Sequence, residues 1–202
     1  MLRIWRQISG SFLVFSVLLS LAGIGLAGCG RPGTELPPLA NAPEQAYRLG
    51  SGDQIRVLVF GEDQLSGEYR VNDTGRIALP LLGSVLAAGS STTELESKIA
   101  DGLKKSGILR DPSIAVEVIA YRPIFVLGEV NKPGQFPYQP GMTVVTAVAV
   151  AGGFTYRAID DYAAVVRIFN PGTAQARAEE GRATRQSFVQ PGDVITIFER
   201  RF

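Results

Sequence analysis

A single cysteine, Cys29, follows a long uncharged stretch at the beginning of this 202-residue chain. Two arginines, Arg3 and Arg6, precede the stretch, and its apolar part runs from residue 12 to residue 27. A short basic start, an apolar run and small residues before a cleavage point are the parts of a bacterial secretion signal. A cysteine directly after that point predicts that residues 1–28 are removed and that the Cys29 thiol becomes the acceptor for lipid.

The alternative for this stretch is an uncleaved transmembrane helix, because a run of about 20 apolar residues is long enough to span a bilayer. Glycines at positions 23, 25 and 28 weaken a spanning helix. The small residues also lie directly before the cysteine, so the lipoprotein interpretation is favoured.

A lone cysteine also limits how the fold is stabilised. One thiol cannot form a disulfide within the chain, so the fold must depend on its hydrophobic cores. Two or more acyl chains on Cys29 would attach the mature protein stably to a membrane. Gly30 occupies the position where an aspartate typically retains a bacterial lipoprotein at the inner membrane. We therefore expect a lipid-anchored protein of the outer membrane that faces the periplasm.

Charge and the absence of histidine exclude several functions. After removal of the signal, 18 basic residues face 19 acidic ones. This balance gives no electrostatic basis for binding nucleic acid. The whole chain contains no histidine, which is the commonest general base and metal ligand in proteins. The sequence therefore predicts no catalytic residue, no cofactor and no metal site.

Hydrophobic patterning divides the mature chain into a tether and two folded blocks. Residues 29–46 contain four prolines and no apolar period, which predicts a semi-extended, lipid-anchored tether with a reach of about 50 Å. Residues 47–120 and 121–202 carry the periods of strands and helices. We therefore expect an α+β fold made of two small domains.

The first block combines alternating strands with one amphipathic helix. Ser91 and Glu94 have the spacing of a capping box, and apolar residues then recur at every fourth position as far as Leu103. Alternation predicts four strands, of which we expect the first three to form one small sheet: Ile55 to Val59, Glu68 to Val71, Arg76 to Leu79 and Ile114 to Val118.

Four Pro-Gly pairs mark turns in the second block. Residues 143–151 are ambiguous, because their β-branched side chains favour a buried strand whereas the threonine start and the Gly152-Gly153 stop favour a short helix. Residues 170–187 hold few apolar groups and are interpreted as a long polar excursion. Strands are predicted at Ile124 to Leu127, Gln135 to Pro137, Ala164 to Ile168 and Val194 to Phe198.

Two similar segments begin with Gly52-Asp53 and with Gly192-Asp193, and an alternating strand follows each of them. We interpret them as two domains that use a similar strand-initiating turn. Six residues are too few to indicate duplication.

No arrangement of polar residues favours catalysis. Ser51 lies between two glycines and has no histidine to activate it. Neighbouring carboxylates occur at Asp160-Asp161 and at Glu179-Glu180. Sequence neighbours do not face each other across a sugar, as the two carboxylates of a glycosidase must. We interpret them as solvated loop residues.

Two further groups of side chains have alternative interpretations. Arg177, Arg182 and Arg185 would contact an anionic polymer or the acidic edge of a neighbouring subunit, but simple solvation is favoured. Phe154 and Tyr156, two residues apart, would share one strand face. They would stack on sugar rings or, as we favour, form a buried aromatic pair.

Motifs in both blocks resemble known domain families. In the second block, residues 125–134 (FVLGEVNKPG), 140–143 (PGMT) and 149–154 (AVAGGF) resemble the soluble-ligand-binding β-grasp (SLBB) module. In the first block, residues 47–53 (YRLGSGD), together with 73–77 (DTGRI) and 80–83 (PLLG), resemble the polysaccharide biosynthesis/export domain. Behind a lipidation motif, the two blocks together resemble the Wza-type outer-membrane polysaccharide export family.

The resemblance implies a fold, a transport role and partners. It implies an α+β sandwich followed by a β-grasp domain, with residues 143–151 as a helix. It implies a homo-oligomeric ring that conducts capsular or exopolysaccharide as cargo and works with an inner-membrane polysaccharide co-polymerase. The size of the two blocks agrees with association into a ring, because domains of roughly 75 to 80 residues are near the lower limit for burying an adequate core alone.

The sequence departs from longer members of that family after its last predicted strand. Those members continue into an amphipathic helix that crosses the outer membrane, whereas this sequence stops at residue 202. We therefore expect a short form with one SLBB module, which depends on a separate outer-membrane β-barrel to complete the passage. Two alternatives stay open: a monomeric saccharide-binding lipoprotein of the cell envelope, and an enzyme that trims polysaccharide.

Overall fold

A computed structural model describes residues 31–39, 47–171 and 174–200 of the chain. The predicted signal and Cys29 lie outside these residues, so the predicted cleavage and lipidation stay predictions. Within the described part of the chain there are ten strands and two helices. None of the helices found there is long and apolar enough to cross a membrane.

The first half builds two small sheets and one helix. β1 pairs with β2 on one side and with β5 on the other, all antiparallel, so this sheet has the order β2-β1-β5. β3 and β4 form a separate hairpin. The elements are β1 (Gln54–Val59), β2 (Gly67–Arg70), β3 (Arg76–Leu79), β4 (Gly83–Leu86), α1 (Thr92–Lys105) and β5 (Ile114–Ala120).

The prediction that the first three strands form one small sheet is therefore wrong for the third strand. Alternation locates β3 correctly, but β3 pairs with its immediate successor β4 through a short turn at residues 80–82. The free edge of β1 is taken by β5, which brings Val116 into the core. Alternation along a strand says which face is buried, and it does not say which strand is the neighbour.

Helix α1 begins and packs as its sequence predicts. The Ser91 hydroxyl accepts the N–H of Glu94 at 3.1 Å, and the Glu94 carboxylate accepts the N–H of Ser91 at 3.0 Å. Both donors would otherwise be unsatisfied at the helix start. Leu95, Ile99 and Leu103 are fully buried against the sheet, so the capping box and the helical face are confirmed.

The second half is one five-stranded sheet covered by a short helix. Its strand order is β7-β6-β10-β8-β9, and only the β6–β10 pair is parallel. The Thr143 and Thr146 side chains form a capping box at the start of α2, so residues 143–151 are a helix. The elements are β6 (Ile124–Gly128), β7 (Gly134–Phe136), α2 (Val144–Val150), β8 (Tyr162–Phe169), β9 (Arg177–Thr184) and β10 (Val194–Ile197).

The interpretation of residues 170–187 as a polar excursion is wrong. β9 lies within this segment and pairs with β8 along eight residues, from Phe169 opposite Arg177 to Tyr162 opposite Thr184. Small residues hide the strand from hydropathy, because the buried positions on β9 are Gly181 and Ala183. A glycine and an alanine give almost no apolar signal, although they fit closely packed positions.

Part of the proline-rich segment is joined to the second half. Residues 32–39, which we call the strap, run beside the edge strand β9. Arg182 donates its N–H to the carbonyl of Pro37 at 2.7 Å, and Leu39 donates its N–H to the carbonyl of Arg182 at 2.8 Å. The expected free tether is thus wrong for residues 32–39, whereas residues 40–46 lie outside the described part.

Two separate hydrophobic clusters hold the described residues together. The first is built from buried residues between Leu49 and Val116. The second is built from buried residues between Ile124 and Ile197, with Leu39 of the strap packed against it. The structure is thus α+β with one core on each side of the predicted boundary at residues 120 and 121, a boundary that itself stays a prediction.

Candidate functional site

The two Gly-Asp segments form the same kind of turn. Asp53 is fully buried, and its carboxylate accepts the N–H of Gly50 at 2.8 Å. Asp193 is also buried, and its carboxylate accepts the N–H of Gln190 at 2.8 Å. Each carboxylate reaches back three residues and closes the turn before β1 or β10. The interpretation that both halves use a similar strand-initiating turn is confirmed.

Asp193 is paired with an arginine of its own half. Arg167 on β8 is buried, and its Nη2 lies 2.7 Å from Asp193 Oδ2 while its Nε lies 3.0 Å from Oδ1. Such a two-pronged pair satisfies both charges that burial would otherwise penalise. Arg167 also donates to the carbonyl of Phe188 at 3.0 Å, which fixes the segment before β10 to the sheet.

Asp53 joins the two halves of the chain. Besides the Gly50 N–H, its carboxylate accepts the Tyr47 hydroxyl at 2.6 Å and the N–H of Arg122 at 2.9 Å. Arg122 lies in the segment between β5 and β6, and its Nε is 3.6 Å from Asp53 Oδ1. A carboxylate at the start of the first half therefore holds the segment that leads into the second.

The Arg122 side chain lies between the two turns. It is 14% exposed, and its buried Nε makes no hydrogen bond with any described residue. A Cβ placed at Gly52 would be 3.5 Å from Arg122 Cγ, and one at Gly192 would be 3.7 Å from its Nε. A Cβ at Gly50 would overlap the guanidinium. Glycines in both turns therefore leave room for this arginine.

Three tyrosines flank the place where Arg122 lies between the two turns, and their rings pack edge to face in series. The ring centroids of Tyr47 and Tyr121 are 5.0 Å apart at an interplanar angle of 77°, and those of Tyr121 and Tyr138 are 5.5 Å apart at 72°. Burial raises the pKa of Tyr47. The positive charge of Arg122 lowers this pKa, whereas the negative charge of Asp53 raises it further. Burial also raises the pKa of Tyr138. We call the group formed by Asp53, Arg122, Tyr47, Tyr121 and Tyr138 the junction.

A cleft of about 460 Å³ opens beside the junction. Two tyrosine rings, three hydroxyl side chains at the start of α1 and the exposed carboxylate of Glu117 line it. Aromatic faces with hydroxyls and a carboxylate suit a ligand that is itself rich in hydroxyl groups. The lining residues are Tyr47, Ser91, Thr92, Thr93, Val116, Glu117, Val118 and Tyr121.

Family comparisons assign both halves of the chain. A model of the polysaccharide biosynthesis/export protein family matches residues 41–119. A model of the SLBB domain matches residues 123–176. The chain combines a polysaccharide biosynthesis/export domain with an SLBB domain. The expected domain types and their order along the chain are thus confirmed.

Three curated relatives carry names that concern polysaccharide production, export or transport. The exopolysaccharide production protein ExoF of Rhizobium meliloti is 38% identical over 158 residues, which cover 72% of this chain and 35% of the relative. The EPS I polysaccharide export outer membrane protein EpsA of Ralstonia nicotianae is 29% identical over 166 residues, which cover 78% of this chain and 42% of the relative. The polysialic acid transport protein KpsD of Escherichia coli is 27% identical over 109 residues, which cover 53% of this chain and 19% of the relative. The chain therefore spans well under half the length of these relatives.

The acidic candidates from the sequence are not gathered into one site. Asp160 pairs with Arg200 at 3.1 Å and with Arg185 at 3.6 Å, whereas Glu179 pairs with Arg177 at 2.6 Å. The structure places Glu179 and Glu180 on the edge strand β9 and not in a loop. Among the described residues, no three acidic or cysteine side chains are grouped so that they could hold a metal ion.

The basic and aromatic candidates are likewise dispersed. Arg182 donates to the carbonyl of Thr34 in the strap at 3.2 Å, so it holds a segment of its own chain. Phe154 packs against the second core, with the Arg185 guanidinium 5.9 Å from its ring centre. Tyr156 is 89% exposed, so the favoured buried aromatic pair is wrong. Ser51 only donates a long hydrogen bond, 3.4 Å, to the carbonyl of Asp73.

Sequence reasoning overlooked the junction. The Gly-Asp similarity was visible, but similarity of turns does not show that the carboxylates are buried or which arginine each one meets. The signal that could have indicated the junction was the repeated Gly-Asp pair, each followed by an alternating strand, together with an arginine at the domain boundary. The tyrosines gave no signal, because residues 47, 121 and 138 come together only when both halves have folded.

Proposed function

We propose that the chain is an outer-membrane-anchored, periplasm-facing lipoprotein subunit of an oligomeric conduit that exports capsular or exopolysaccharide. The observation that carries the proposal is the succession of an export domain and an SLBB domain on one chain. The printed names of three relatives, which concern exopolysaccharide production, polysaccharide export and polysialic acid transport, support it. The word "outer membrane" in the EpsA name supports the location.

Acylation of Cys29 is the proposed means of attachment to the membrane. It rests on the basic start, the apolar run and the small residues before the cysteine. Changing Cys29 to serine should release the protein from the membrane fraction. Retention of the Cys29→Ser protein in membranes, in a strain without the other export proteins, would contradict the anchor.

Assembly of several copies is proposed from exposed apolar side chains. Phe125 and Leu127 on β6, together with Ile168 on β8, lie on the sheet face that α2 does not cover, and they are 37%, 42% and 50% exposed. Apolar surface of this kind commonly marks a protein interface. Neighbouring copies would cover it, and an inner-membrane polysaccharide co-polymerase would deliver the polymer to the ring.

We propose that the subunit moves polysaccharide without catalysing a reaction on it. The chain has no histidine, and one carboxylate of each acidic pair, Asp160 and Glu179, forms an ion pair with arginine. Passage of a polymer through a conduit requires no bond to be made or broken.

A deletion strain gives the decisive test. Surface polysaccharide should be lost while synthesis of the lipid-linked repeat continues, and the wild-type gene should restore it. A strain that still displays normal surface polysaccharide would contradict an export role. Polymer of altered length at normal surface abundance would instead indicate the trimming enzyme.

The cleft beside the junction favours a second candidate, a monomeric saccharide-binding lipoprotein. Mass measurement in mild detergent separates the two functions, because a conduit subunit should form a discrete oligomer. A stable monomer that binds oligosaccharide, and loses that binding when Tyr121 is changed to alanine, would support the second candidate. Phe188→Ala is the matched control, since Phe188 is exposed and does not line the cleft.

A further inference from the structure

The strap is held at its beginning as well as along its length. The Tyr162 hydroxyl donates to the carbonyl of Pro32 at 2.8 Å. Gly33 is buried, and its φ of 80° is a conformation that glycine adopts readily. A Cβ at Gly33 would overlap the Phe198 ring. The strap therefore docks by close backbone approach at Gly33 as well as by packing of the Leu39 side chain.

The docking point lies at one end of the second sheet. β8 begins at Tyr162 and runs antiparallel to β10, so the start of β8 and Phe198 after β10 share one end. The other end of β8 approaches the junction, because a Cβ at Gly50 would be 2.6 Å from Pro171. Eight residues of strand separate the two ends, roughly 25 Å. The strap thus begins at the end of the sheet that is opposite the junction.

The loop between α2 and β8 shares this end. Ile159 donates its N–H to the carbonyl of Phe198 at 2.8 Å, and Arg200 donates its N–H to the carbonyl of Arg157 at 2.8 Å. Tyr156, in the same loop, is 89% exposed. We call the surface formed by Tyr156, Arg157, Phe198 and Arg200 the strap end.

The chemistry of the strap end suits a phospholipid surface. Tyrosine is favoured at membrane interfaces because its ring is apolar and its hydroxyl is polar. The side chains of Arg157 and Arg200 are about half exposed, and guanidinium groups bind phosphate through paired donors. Each arginine also pairs with a carboxylate, Glu199 or Asp160, so charge alone would give only weak attraction and proximity must come from the anchor.

We propose that the strap end contacts the lipid headgroups, so that the second half of the protein lies against the membrane. This inference rests on the proposed acylation of Cys29. Two residues, Gly30 and Arg31, lie between Cys29 and Pro32, and a fully extended chain covers at most about 11 Å over those three steps. The docked strap removes the long reach that a free tether would provide, so the acyl chains and the strap end are held close together.

Quenching of single labels by lipid tests the orientation. The full-length acylated protein is reconstituted into vesicles of phosphatidylethanolamine and phosphatidylglycerol that carry a quencher on their headgroups. Tyr156→Cys places a dye at the strap end, and Phe60→Cys is the matched control. Phe60 is 87% exposed and follows β1, whose first residue adjoins the junction. Acylated Cys29 takes no dye.

The label at position 156 should be quenched several-fold more strongly than the label at position 60. Equal quenching at the two positions, or stronger quenching at position 60, would overturn the proposal. Tyr156 and Phe60 differ little in exposure, so solvent access of the dye does not explain a difference.

Release of the strap provides a second test. Gly33→Val should displace the strap from Phe198 and lower the quenching at position 156 toward the value at position 60, while the protein stays in the membrane fraction. Gly83→Val is the control, because Gly83 has a similar φ of 81° with no atom within 4 Å of an added Cβ. Faster amide exchange at Leu39 and Arg182 reports that the strap has left β9. Undiminished quenching with the strap released would overturn the proposal.

Failure of the anchor and failure of the orientation give different results. The mass of the amino-terminal peptide and the fractionation of Cys29→Ser report acylation directly. An unmodified Cys29 would overturn the lipoprotein proposal and this inference with it. An acylated Cys29 with equal quenching at positions 156 and 60 would leave the lipoprotein proposal standing and would overturn only the orientation.

Discussion

Replacing Asp53 by asparagine tests whether the junction holds the first half to the second. Asparagine keeps the shape of the side chain but removes the charge and exchanges one acceptor oxygen for a donor NH₂ group. The three groups that donate to Asp53 are the N–H of Gly50, the hydroxyl of Tyr47 and the N–H of Arg122. At least one of these donors would then face another donor inside the protein.

The expected loss of stability follows from burial. Asp53 is fully buried, and the Arg122 side chain is 14% exposed. Removing one partner of a buried pair leaves an uncompensated charge, which costs about 3–5 kcal/mol. The lost hydrogen bonds are part of that figure, because they break in the same event. We expect Asp53→Asn to lower the free energy of unfolding by about 3–5 kcal/mol.

Urea-induced unfolding followed by circular dichroism measures this change. Asp111→Asn is the control, since Asp111 is 97% exposed and pairs with Lys104 at 3.6 Å. An ion pair so exposed to water contributes little to stability, so its removal should leave the unfolding midpoint unchanged. The reasoning is refuted if both variants shift the midpoint equally, or if Asp53→Asn costs less than about 1 kcal/mol, the value typical of a surface pair.

Three further outcomes are expected. Gly128→Ala should destabilise the second half strongly, because Gly128 has a φ of 81° and an added Cβ would overlap the backbone carbonyl of Ile197. Gly61→Ala is the control, since a Cβ added there meets open space, and thermal unfolding of the two variants compares them. Ser91→Ala should cost about 1 kcal/mol through loss of the α1 cap, measured by urea unfolding. Burial raises the pKa of Tyr47 above its ordinary 10.0, so the hydroxyl loses its proton in the unfolded chain at a lower pH than in the folded protein. The free energy of unfolding should therefore fall as the pH rises above 10. The fall should be shallower in Tyr47→Phe, and an identical slope in the two proteins would contradict the assignment.

Local patterns were predictable wherever the residues involved are close in sequence. The capping box of Ser91 and Glu94 formed as its spacing predicts, because both partners lie within one turn of helix. The Gly-Asp turns formed for the same reason, since each carboxylate reaches back only three residues. For residues 143–151 local physics was balanced between strand and helix, and family resemblance decided for the helix that the structure contains.

Long-range pairing was not predictable from the same patterns. β3 carries a correct alternation, yet its partner is β4 and not the sheet of β1. β9 was missed because glycine and alanine occupy its buried positions, and only its eight-residue register with β8 makes it a strand. The exposed state of Tyr156 depends likewise on how the loop before β8 lies against residues 198–200.

The sequence by itself determined the positions of helix α1 and of eight of the ten described strands. It also determined the strand-initiating turns, the absence of any histidine and the kinship with polysaccharide export proteins. Tertiary structure alone decided that Asp53, Arg122 and Tyr47 meet at the junction, and that residues 32–39 dock beside β9. The physical reason is the same in both cases. Periodicity records which side of an element faces the core. The partner of a buried charge or of an open strand edge lies far away in the sequence, 69 positions for Asp53 and Arg122 and 130 for Pro32 and Tyr162.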